Sequence, residues 1–511
     1  MNYLLDNNVV IDILSDRRRK KYPESLKVYN IIQNEQDNVF VSSSSLDNIE
    51  FILFKEIKAQ FSYSNKEALD EVHSRIKLFM KNVKIAKTPS YIKIDYEDLE
   101  DSQIVASAKA IDALVLTRDE KIIQKYPNLT ITPDELLSQI INQKPKIDFA
   151  NLIKQYFRYN KELEKSLDNI LNNANFIMGN VVKELEDELS HFTGAKHTIT
   201  CSSGTDALLL AMMALNIGHG DEVITTPFTF IATAETIAFL GAKPVFVDID
   251  ETAYNIDPSK IEDAITKKTK AIIPVSLYGQ PSDMDEINSI AKKYNLFVIE
   301  DAAQSFGATY KGKRSCNLSG IGCTSFFPAK PLGCFGDGGA VFTNDDELAE
   351  KLKSLRIHGQ TKRYHHKYIG MGGRLDALQA SVLRVKLKHY SKDLKKRQEV
   401  AKKYTDQFNT QYSILNTPEI KKDRTSAWAQ YSIRVKNRDT LQVKLKELGI
   451  PTAIHYPQPL HLQECFAYLG HKEGDFPISE KISKEIMSLP MNPDLSDSEI
   501  EYIVKALCEN I

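Results

Sequence analysis

Short apolar runs recur from residue 222 onward, separated by longer polar or amphipathic stretches. The runs are Glu222–Thr225, Pro244–Val247, Ala271–Val275, Phe297–Ile299 and Ala340–Thr343, with Gly, Asp or Pro in the loops between them. Consecutive apolar positions suit strands buried on both faces, and the alternation with helices predicts a largely parallel sheet covered on both sides. Ala207–Leu215 reads as a strongly apolar helix. Beyond about Lys388 the pattern changes to a charged helix, then Trp428–Val435 alternating like a strand. A helix over Asp439–Leu448 and an amphipathic helix over Ser496–Asn510 complete a smaller α+β region.

Residues 1 to about 141 carry a separate α/β pattern. Strands are expected at Tyr3–Asp6, Asn38–Ser42 and Leu114–Thr117, and helices at Leu46–Lys58, Lys66–Lys81 and from near Asp98–Asp101. The polar, proline-bearing stretch Asn142-Gln-Lys-Pro-Lys146 marks the boundary. The expected domains are therefore 1–141, a small parallel α/β unit; 142–390, leading helices and a large α/β domain; and 391–511, a small α+β domain. A chain of 511 residues exceeds what one core supports, so several domains are expected on length alone.

Composition narrows the picture only a little. A net charge of −2 gives no overall pull toward nucleic acid or anionic membrane. Six cysteines without a paired framework point to a reducing compartment, and the spacing of Cys316, Cys323 and Cys334 fits no common zinc pattern. No basic segment followed by an apolar stretch opens the chain, and no apolar run approaches spanning length. The expected location is the cytoplasm, away from membranes.

The candidate chemistry lies in three segments. Ser325-Phe-Phe-Pro-Ala-Lys330-Pro-Leu-Gly places one lysine in an apolar, glycine-flanked loop, where lost solvation makes an amine a better nucleophile. Phe297-Val-Ile-Glu-Asp301-Ala-Ala-Gln304 is a buried-strand pattern ending in carboxylates. A lysine that can hold an aldehyde and an aspartate that can pair with a pyridinium nitrogen make the minimal pyridoxal phosphate (PLP) pair. Cys201-Ser-Ser-Gly204-Thr205-Asp206 opens the apolar helix, and its small residues suit a phosphate at a helix N-terminus. Ser325 adds a further hydroxyl. Taken singly, the lysine reads as a solvated charge and the helix start as an ordinary cap; taken in order, the three segments form a site.

From about Lys146 onward the chain resembles the DegT/StrS family of PLP-dependent sugar aminotransferases. The stretches that carry the resemblance are Phe176-Ile-Met-Gly, Ser203-Gly-Thr-Asp-Ala-Leu, Gly220-Asp-Glu-Val-Ile-Thr-Thr-Pro, Gly241-Ala-Lys-Pro-Val-Phe-Val-Asp-Ile-Asp250, Glu300-Asp-Ala-Ala-Gln304 and Gly336-Asp-Gly-Gly339. Ser315-Cys-Asn-Leu, Cys323-Thr-Ser-Phe-Phe-Pro, Arg363-Tyr-His-His and Gly373-Arg-Leu-Asp resemble the WbpE type, which aminates the 3-oxo form of a UDP-N-acetylglucosamine uronic acid for surface polysaccharide. The resemblance implies a type I PLP fold and a homodimer with shared active sites. It also implies a UDP-keto sugar and L-glutamate as substrates, Asp301 at the pyridinium nitrogen, and Gln304 at the cofactor ring. Arg374, then His455 and Tyr456, become candidates for the uronate carboxylate or the sugar. Each also has a plainer reading, a surface arginine and a structural His-Tyr turn. Phe228 reads either as packing on the ring or as core. Gly372 stands where related sequences often carry an asparagine that reaches the partner subunit's phosphate. Family members that dehydrate sugars have histidine at the lysine position, which Lys330 argues against. The alternative substrate is a UDP-4-keto-6-deoxy sugar aminated at C4.

In the first unit, Asp6, Asp101 and Asp119 sit at element ends that one sheet edge could gather, a ligand type suited to Mg²⁺ or Mn²⁺. Leu5-Asp6-Asn7-Asn8-Val9, Leu99-Glu-Asp101-Ser-Gln-Ile-Val-Ala-Ser-Ala108 and Thr117-Arg-Asp119 resemble a PIN-type domain, the fold of many metal-dependent ribonucleases. Asn48 stands where that family usually places a second acid, with Asp47 and Glu50 beside it. Arg17-Arg-Arg-Lys-Lys21 is the one stretch suited to phosphate attraction. Two readings follow for the unit: a ribonuclease or RNA-binding module, or a structural domain acting in assembly or regulation.

Overall fold

The computed structural model describes residues 2–34, 38–61, 63–87, 99–142, 147–411 and 417–511. Two compact units divide the chain, residues 1–144 and 145–511. Of the expected boundary stretch, residues 143–146 lie outside the described residues.

In the first unit β1 (Asn2–Leu5), β2 (Asn38–Ser42), β3 (Lys84–Ala86), β4 (Leu114–Leu116) and β5 (Thr130–Ile131) form a parallel sheet in the order β3-β2-β1-β4-β5. Central β1 explains the apolar run at the N-terminus: Leu4 and Leu5 point to opposite faces and both are fully buried. The helix Asn65–Phe79 begins with a reciprocal Ser64/Glu67 capping box. The short strands β3 and β5 carry too few residues to produce a sequence periodicity of their own.

The second unit is built on a seven-stranded sheet. Its strands are β6 (His197–Cys201), β7 (Glu222–Thr225), β8 (Lys243–Phe246), β9 (Thr269–Ile272), β10 (Phe297–Asp301), β13 (Ile321–Ser325) and β14 (Gly339–Thr343), in the order β6-β14-β13-β10-β9-β7-β8. A small hairpin, β11 (Thr309–Tyr310) and β12 (Lys313–Arg314), intervenes between β10 and β13. The sheet is parallel except at β14, which runs antiparallel to both β13 and β6. The reason is the connection: residues 326–338 carry no crossover helix, so the chain returns beside β13 in the opposite direction. Ser325 is thereby paired in register with Gly339, and both ends of the lysine loop are fixed at one sheet edge. The helix Gly204–Ala214 packs on one face with Ile199, Val223, Ile299 and Val341. On the other face Val182, Leu185 and Leu189 meet Phe306, Phe326 and Phe342.

Two further antiparallel pairs follow, the hairpin β15 (Gln360–Lys362) with β16 (His365–His366), and β17 (Tyr431–Arg434) with the sequence-distant β18 (Ile486–Leu489). The β17–β18 pair packs against the helices Arg438–Glu447 and Asp497–Cys508 around Tyr404, Phe408 and Leu445. The helix Ala377–Gln411 runs unbroken through residue 390, so the boundary expected there falls inside a helix. Among the described residues no helix is long and apolar enough to cross a membrane.

Candidate active site

Asp301 is the last residue of β10, and strand alternation sends it to the opposite side from Glu300. Glu300 is fully buried, and it accepts from Ser276 Oγ at 3.0 Å, Ser315 Oγ at 2.6 Å and the Cys316 N–H at 2.8 Å. It is a satisfied core carboxylate. Asp301 instead faces the carboxyl edge of the sheet, where the Thr233 hydroxyl donates to Oδ2 at 2.8 Å and the Ala303 N–H donates to Oδ1 at 3.2 Å. Burial pushes its pKa up; these two donors and the charge of Lys330 pull it down.

Lys330 lies in the loop between β13 and β14. The loop is closed by Phe326 N–H to Gly338 O at 2.7 Å, Cys334 N–H to Phe326 O at 2.8 Å, and a turn from Lys330 N–H to Phe327 O at 2.9 Å. Gly333 lets it fold on itself, since a Cβ there would stand 2.5 Å from Pro328 O. Burial lowers the amine pKa of Lys330, with Asp301 opposing. The structure thus brings Lys330 and Asp301 into electrostatic contact, although they lie on different elements.

The third segment meets the same edge. Ser203 caps the helix Gly204–Ala214, its hydroxyl accepting from Asp206 N–H at 3.0 Å. Gly204 and Thr205 occupy the first helical positions, whose N–H groups have no intrahelical acceptor. A Cβ on Gly204 would stand 2.6 Å from the Cβ of Ser325, so the glycine is what lets Ser325 lie against the helix start. Gly204, Thr205 and Ser325 are all partly exposed. Two free N–H groups and an adjacent hydroxyl fit a phosphate. Cradle, carboxylate and amine together fit PLP.

Gln304 is buried and committed on both sides: its Oε1 accepts from Tyr278 N–H at 2.7 Å and its Nε2 donates to Tyr456 Oη at 3.2 Å. The Tyr278 phenol donates to the carbonyl of His455. Burial, then the positive charge of Lys330, lowers the His455 pKa to about 4, and burial, then Asp301, pushes the Tyr456 phenol up. His455 and Tyr456 therefore border the lysine and the aspartate.

Arg374 is partly exposed and forms no hydrogen bond or ion pair with the described residues. Gly373 O accepts from Ser202 N–H at 3.1 Å, which sets Arg374 beside the segment leading into the phosphate cradle. Gly372 is exposed and approaches the ring of His358. His365 and His366 form an exposed strand.

Phe228 does not reach the site. It has no exposed surface, packed among Ile249, Tyr254, Val275 and Leu277, and cannot offer a face to a bound ring. Two residues on, Phe230 is 54 % exposed and tilts toward Tyr456 at 6.2 Å between ring centroids. Phe230 is the aromatic at the site, three residues before Thr233. The chain bends at residues 227–229, so the two rings part, and residue type alone does not tell which of them stays exposed. Thr233 and Tyr278 carried no signal either, because each acts through contacts distant in sequence.

Two of the three acids of the first unit take local structural roles. Asp6 is buried and accepts from Thr117 Oγ1 at 2.7 Å. Asp119 caps the helix Glu120–Lys125, accepting from the Lys121 and Ile122 N–H groups. Asp101 sits half-buried in the first turn of the helix Leu99–Ala110. Among the described residues no group of three or more His, Cys, Asp or Glu could hold a metal ion. Glu50 is engaged by His73 at 3.0 Å. In the basic run Arg18 pairs internally with Asp12 at 2.8 Å, while the side chains of Arg17, Arg19 and Lys21 lie outside the described residues.

Residues 158–508 match the DegT/DnrJ/EryC1/StrS aminotransferase family, and residues 2–121 match the PIN domain. The chain is 51 % identical over 361 residues to a UDP-2-acetamido-2-deoxy-3-oxo-D-glucuronate aminotransferase of Pseudomonas aeruginosa, covering 71 % of this chain and 99 % of that one. It is 41 % identical over 367 residues to a UDP-N-acetyl-3-dehydro-alpha-D-glucosamine 3-aminotransferase of Acidithiobacillus ferrooxidans, covering 72 % and 98 %. Among solved structures it is similar to a DegT DnrJ EryC1 StrS aminotransferase from Brucella abortus, with 39 % identity, a TM-score of 0.69 and coverage of 71 % and 99 %. It is also similar to NtdA from Bacillus subtilis with bound cofactor PMP, with 29 % identity, a TM-score of 0.67 and coverage of 77 % and 93 %. By these matches, which span the segments that bring Lys330, Asp301 and the Gly204 helix start to one sheet edge, the chain belongs to the DegT/DnrJ/EryC1/StrS aminotransferase family and carries a PIN domain ahead of the enzyme.

Proposed function

We propose that this aminotransferase converts a UDP-linked 3-oxo N-acetylglucosamine uronic acid to its 3-amino sugar, with L-glutamate as donor, for surface polysaccharide synthesis. The observation that carries the reading is Arg374, a guanidinium without a partner among the described residues, placed beside the cradle segment of a site whose amine and carboxylate are otherwise complete. A free, planar guanidinium suits a carboxylate. The 51 % identity to the Pseudomonas enzyme supports the same substrate class.

PLP, when bound, supplies an aldehyde for an amine and a ring that takes up the electron pair released at the substrate carbon. Gly204 and Thr205 N–H groups with the Ser325 hydroxyl would hold the phosphate. Asp301, oriented by Thr233 and Ala303, would hold a proton at the ring nitrogen. Phe230 would pack against the ring. Lys330, with its amine pKa lowered by burial, serves as the nucleophile and carries the proton to and from the substrate carbon. Arg374, His455 and Tyr456 orient the sugar. Exposed apolar side chains at Phe176, Ile177, Phe327 and Ile369 support a homodimer.

A panel of keto nucleotide sugars assayed by mass spectrometry tests this directly. The 3-oxo uronate is expected to be aminated, and Arg374→Ala to raise its KM by about 100-fold, a lost charged hydrogen bond. Amination of a UDP-4-keto-6-deoxy sugar in preference, or indifference to Arg374→Ala, sinks the uronate reading. For residues 1–144 we favour assembly or regulation over phosphodiester cleavage, because Asp119 is committed as a helix cap and Asn48 replaces an acid. Mn²⁺-dependent cleavage of a mixed RNA pool by the full-length protein, abolished by Asp6→Asn, would reverse that preference.

A further inference from the structure

Lys386 is a buried lysine outside the PLP site. It projects from the helix Ala377–Gln411 and is 4 % exposed. Its ammonium donates to Gly333 O at 2.7 Å and to Gln155 Oε1 at 2.8 Å, and stands 4.7 Å from the centroid of the Phe335 ring. Gly333 and Phe335 belong to the lysine loop, three and five residues beyond Lys330, and Gln155 belongs to the helix Leu152–Asn173. Gln379, two helical turns before Lys386 and on the same face, accepts from the Phe335 N–H at 2.8 Å. One helix thus grips the far limb of the loop at two points. The near limb is held through Gly333, where a Cβ would stand 2.5 Å from Pro328 O and 2.7 Å from Phe327 O. Lys330 lies between these limbs.

A buried ammonium is costly unless something repays its lost hydration. Among the described residues no carboxylate pairs with Lys386. Asp393, further along the same helix, is taken by Arg158 at 2.6 and 3.1 Å and by the Tyr159 phenol at 3.1 Å. Two neutral oxygens and an aromatic face are what the charge meets. An apolar side chain would fill this space without that cost, but it would release the loop carbonyl. We propose that Lys386 is a positioning residue for Lys330: its charged amine ties the far limb of the lysine loop to two helices, and the limb loosens when that charge is lost. Charge-assisted hydrogen bonds are roughly twice as strong as neutral ones, and a neutral amine also forfeits its attraction to the Phe335 ring. The titratable groups facing the amine are Cys334 from the loop, Asp393 from its own helix and Arg158 from the helix Leu152–Asn173. Burial lowers its pKa to about 8, with Cys334 and Asp393 opposing and Arg158 adding, so the charge is lost within the range of an ordinary assay. This rests on the reading of Lys330 as the lysine that holds PLP.

The test is hydrogen exchange read by mass spectrometry on full-length, PLP-loaded protein at pH 7 and pH 9, corrected for the intrinsic effect of pH. The Phe326, Lys330, Cys334 and Phe335 N–H groups, bonded within the loop or to Gln379, report on its hold. At pH 7 Lys386→Met should speed exchange of residues 326–338 about tenfold and leave the strand 297–301 unchanged. It should also lower kcat about tenfold, with the KM for the amino donor within about twofold. The wild-type loop should lose protection between pH 7 and pH 9, whereas Lys386→Arg, which keeps its charge, should stay protected at both. Unchanged loop exchange or unchanged kcat in Lys386→Met overturns the proposal, as does a wild-type loop equally protected at both pH values. Faster exchange spread evenly over the sheet also overturns it, being a loss of stability rather than of position. If Lys386→Met fails to fold, wild type and Lys386→Arg at the two pH values still decide. Exchange needs no turnover, so PLP left unattached at Lys330 on borohydride reduction is a separate failure, that of Lys330 as the PLP lysine.

Discussion

Asp301 and Lys330 show how burial prepares two groups in opposite senses. Lost solvation disfavours charge on both, raising the carboxyl pKa and lowering that of the amine, and each then draws part of that shift back from the other. Lys330→Ala should reduce transamination by about 10³-fold, as loss of a proton carrier does, and the purified variant should no longer become covalently linked to PLP on borohydride reduction. Thr233→Val removes a donor to Asp301, so the carboxyl pKa should rise further and kcat fall about tenfold. His455 gives a pH prediction of known sign. Its pKa is depressed in the fold from the ordinary 6.5 to about 4, so the unfolded chain binds more protons between those values. Stability should fall as pH drops through that window, and His455→Gln should flatten the melting temperature against pH there. These residues were legible to unequal degrees. Lysine, aspartate and the glycine-threonine cradle are read from residue type and spacing, because few other uses explain them together. Of the two readings open for Phe228, packing on the ring or plain core, the structure takes the core one, because the chain bends at residues 227–229 and buries Phe228 while Phe230 stays exposed.

The lysine loop owes its position to one irregularity, the antiparallel return of β14. A crossover helix would have carried the chain away from the edge; the direct return pairs Ser325 with Gly339 and brings Ser203 and Gly204 against both. Backbone proximity is the requirement at these two glycines. Gly204→Ala would place a methyl 2.6 Å from the Ser325 Cβ and should weaken PLP retention, measured by dialysis against buffer, while leaving the fold intact. Gly339→Ala meets the Ser203 carbonyl, a backbone group that cannot swing aside, and should destabilise by about 1–3 kcal/mol in denaturant titration. If Gly204→Ala kept its cofactor as tightly as the wild type, the cradle would lie elsewhere. Most of the sheet was visible as apolar runs, including β7 and β10. The strands β6 and β13 were not, since His197-Thr-Ile-Thr-Cys201 and Ile321-Gly-Cys-Thr-Ser325 are built of small and polar residues that are buried only by their neighbours.

At the scale of the whole chain, the enzyme and the unit ahead of it have separate cores and separate family matches. The Pseudomonas and Acidithiobacillus aminotransferases are covered over 99 % and 98 % of their own lengths by 71 % and 72 % of this chain. Almost the whole length of those relatives is matched without the remainder of this chain. The Asp301–Lys330 pair, its cradle and the His455 network all fall within residues 145–511. A chain beginning at residue 145 should therefore fold, bind PLP and transaminate with kcat within about twofold of the full-length protein, since substitutions remote from a site leave its geometry intact. Thermal unfolding of the full-length protein should show a second transition that the shortened chain lacks, as two units with their own cores can melt independently. A shortened chain that is soluble and cooperatively folded but more than tenfold slower would show that the PIN domain contributes to catalysis. Retained activity together with altered self-association would instead place its role in assembly, the reading favoured by Asp119 serving as a helix cap and by Asn48 standing in place of an acid.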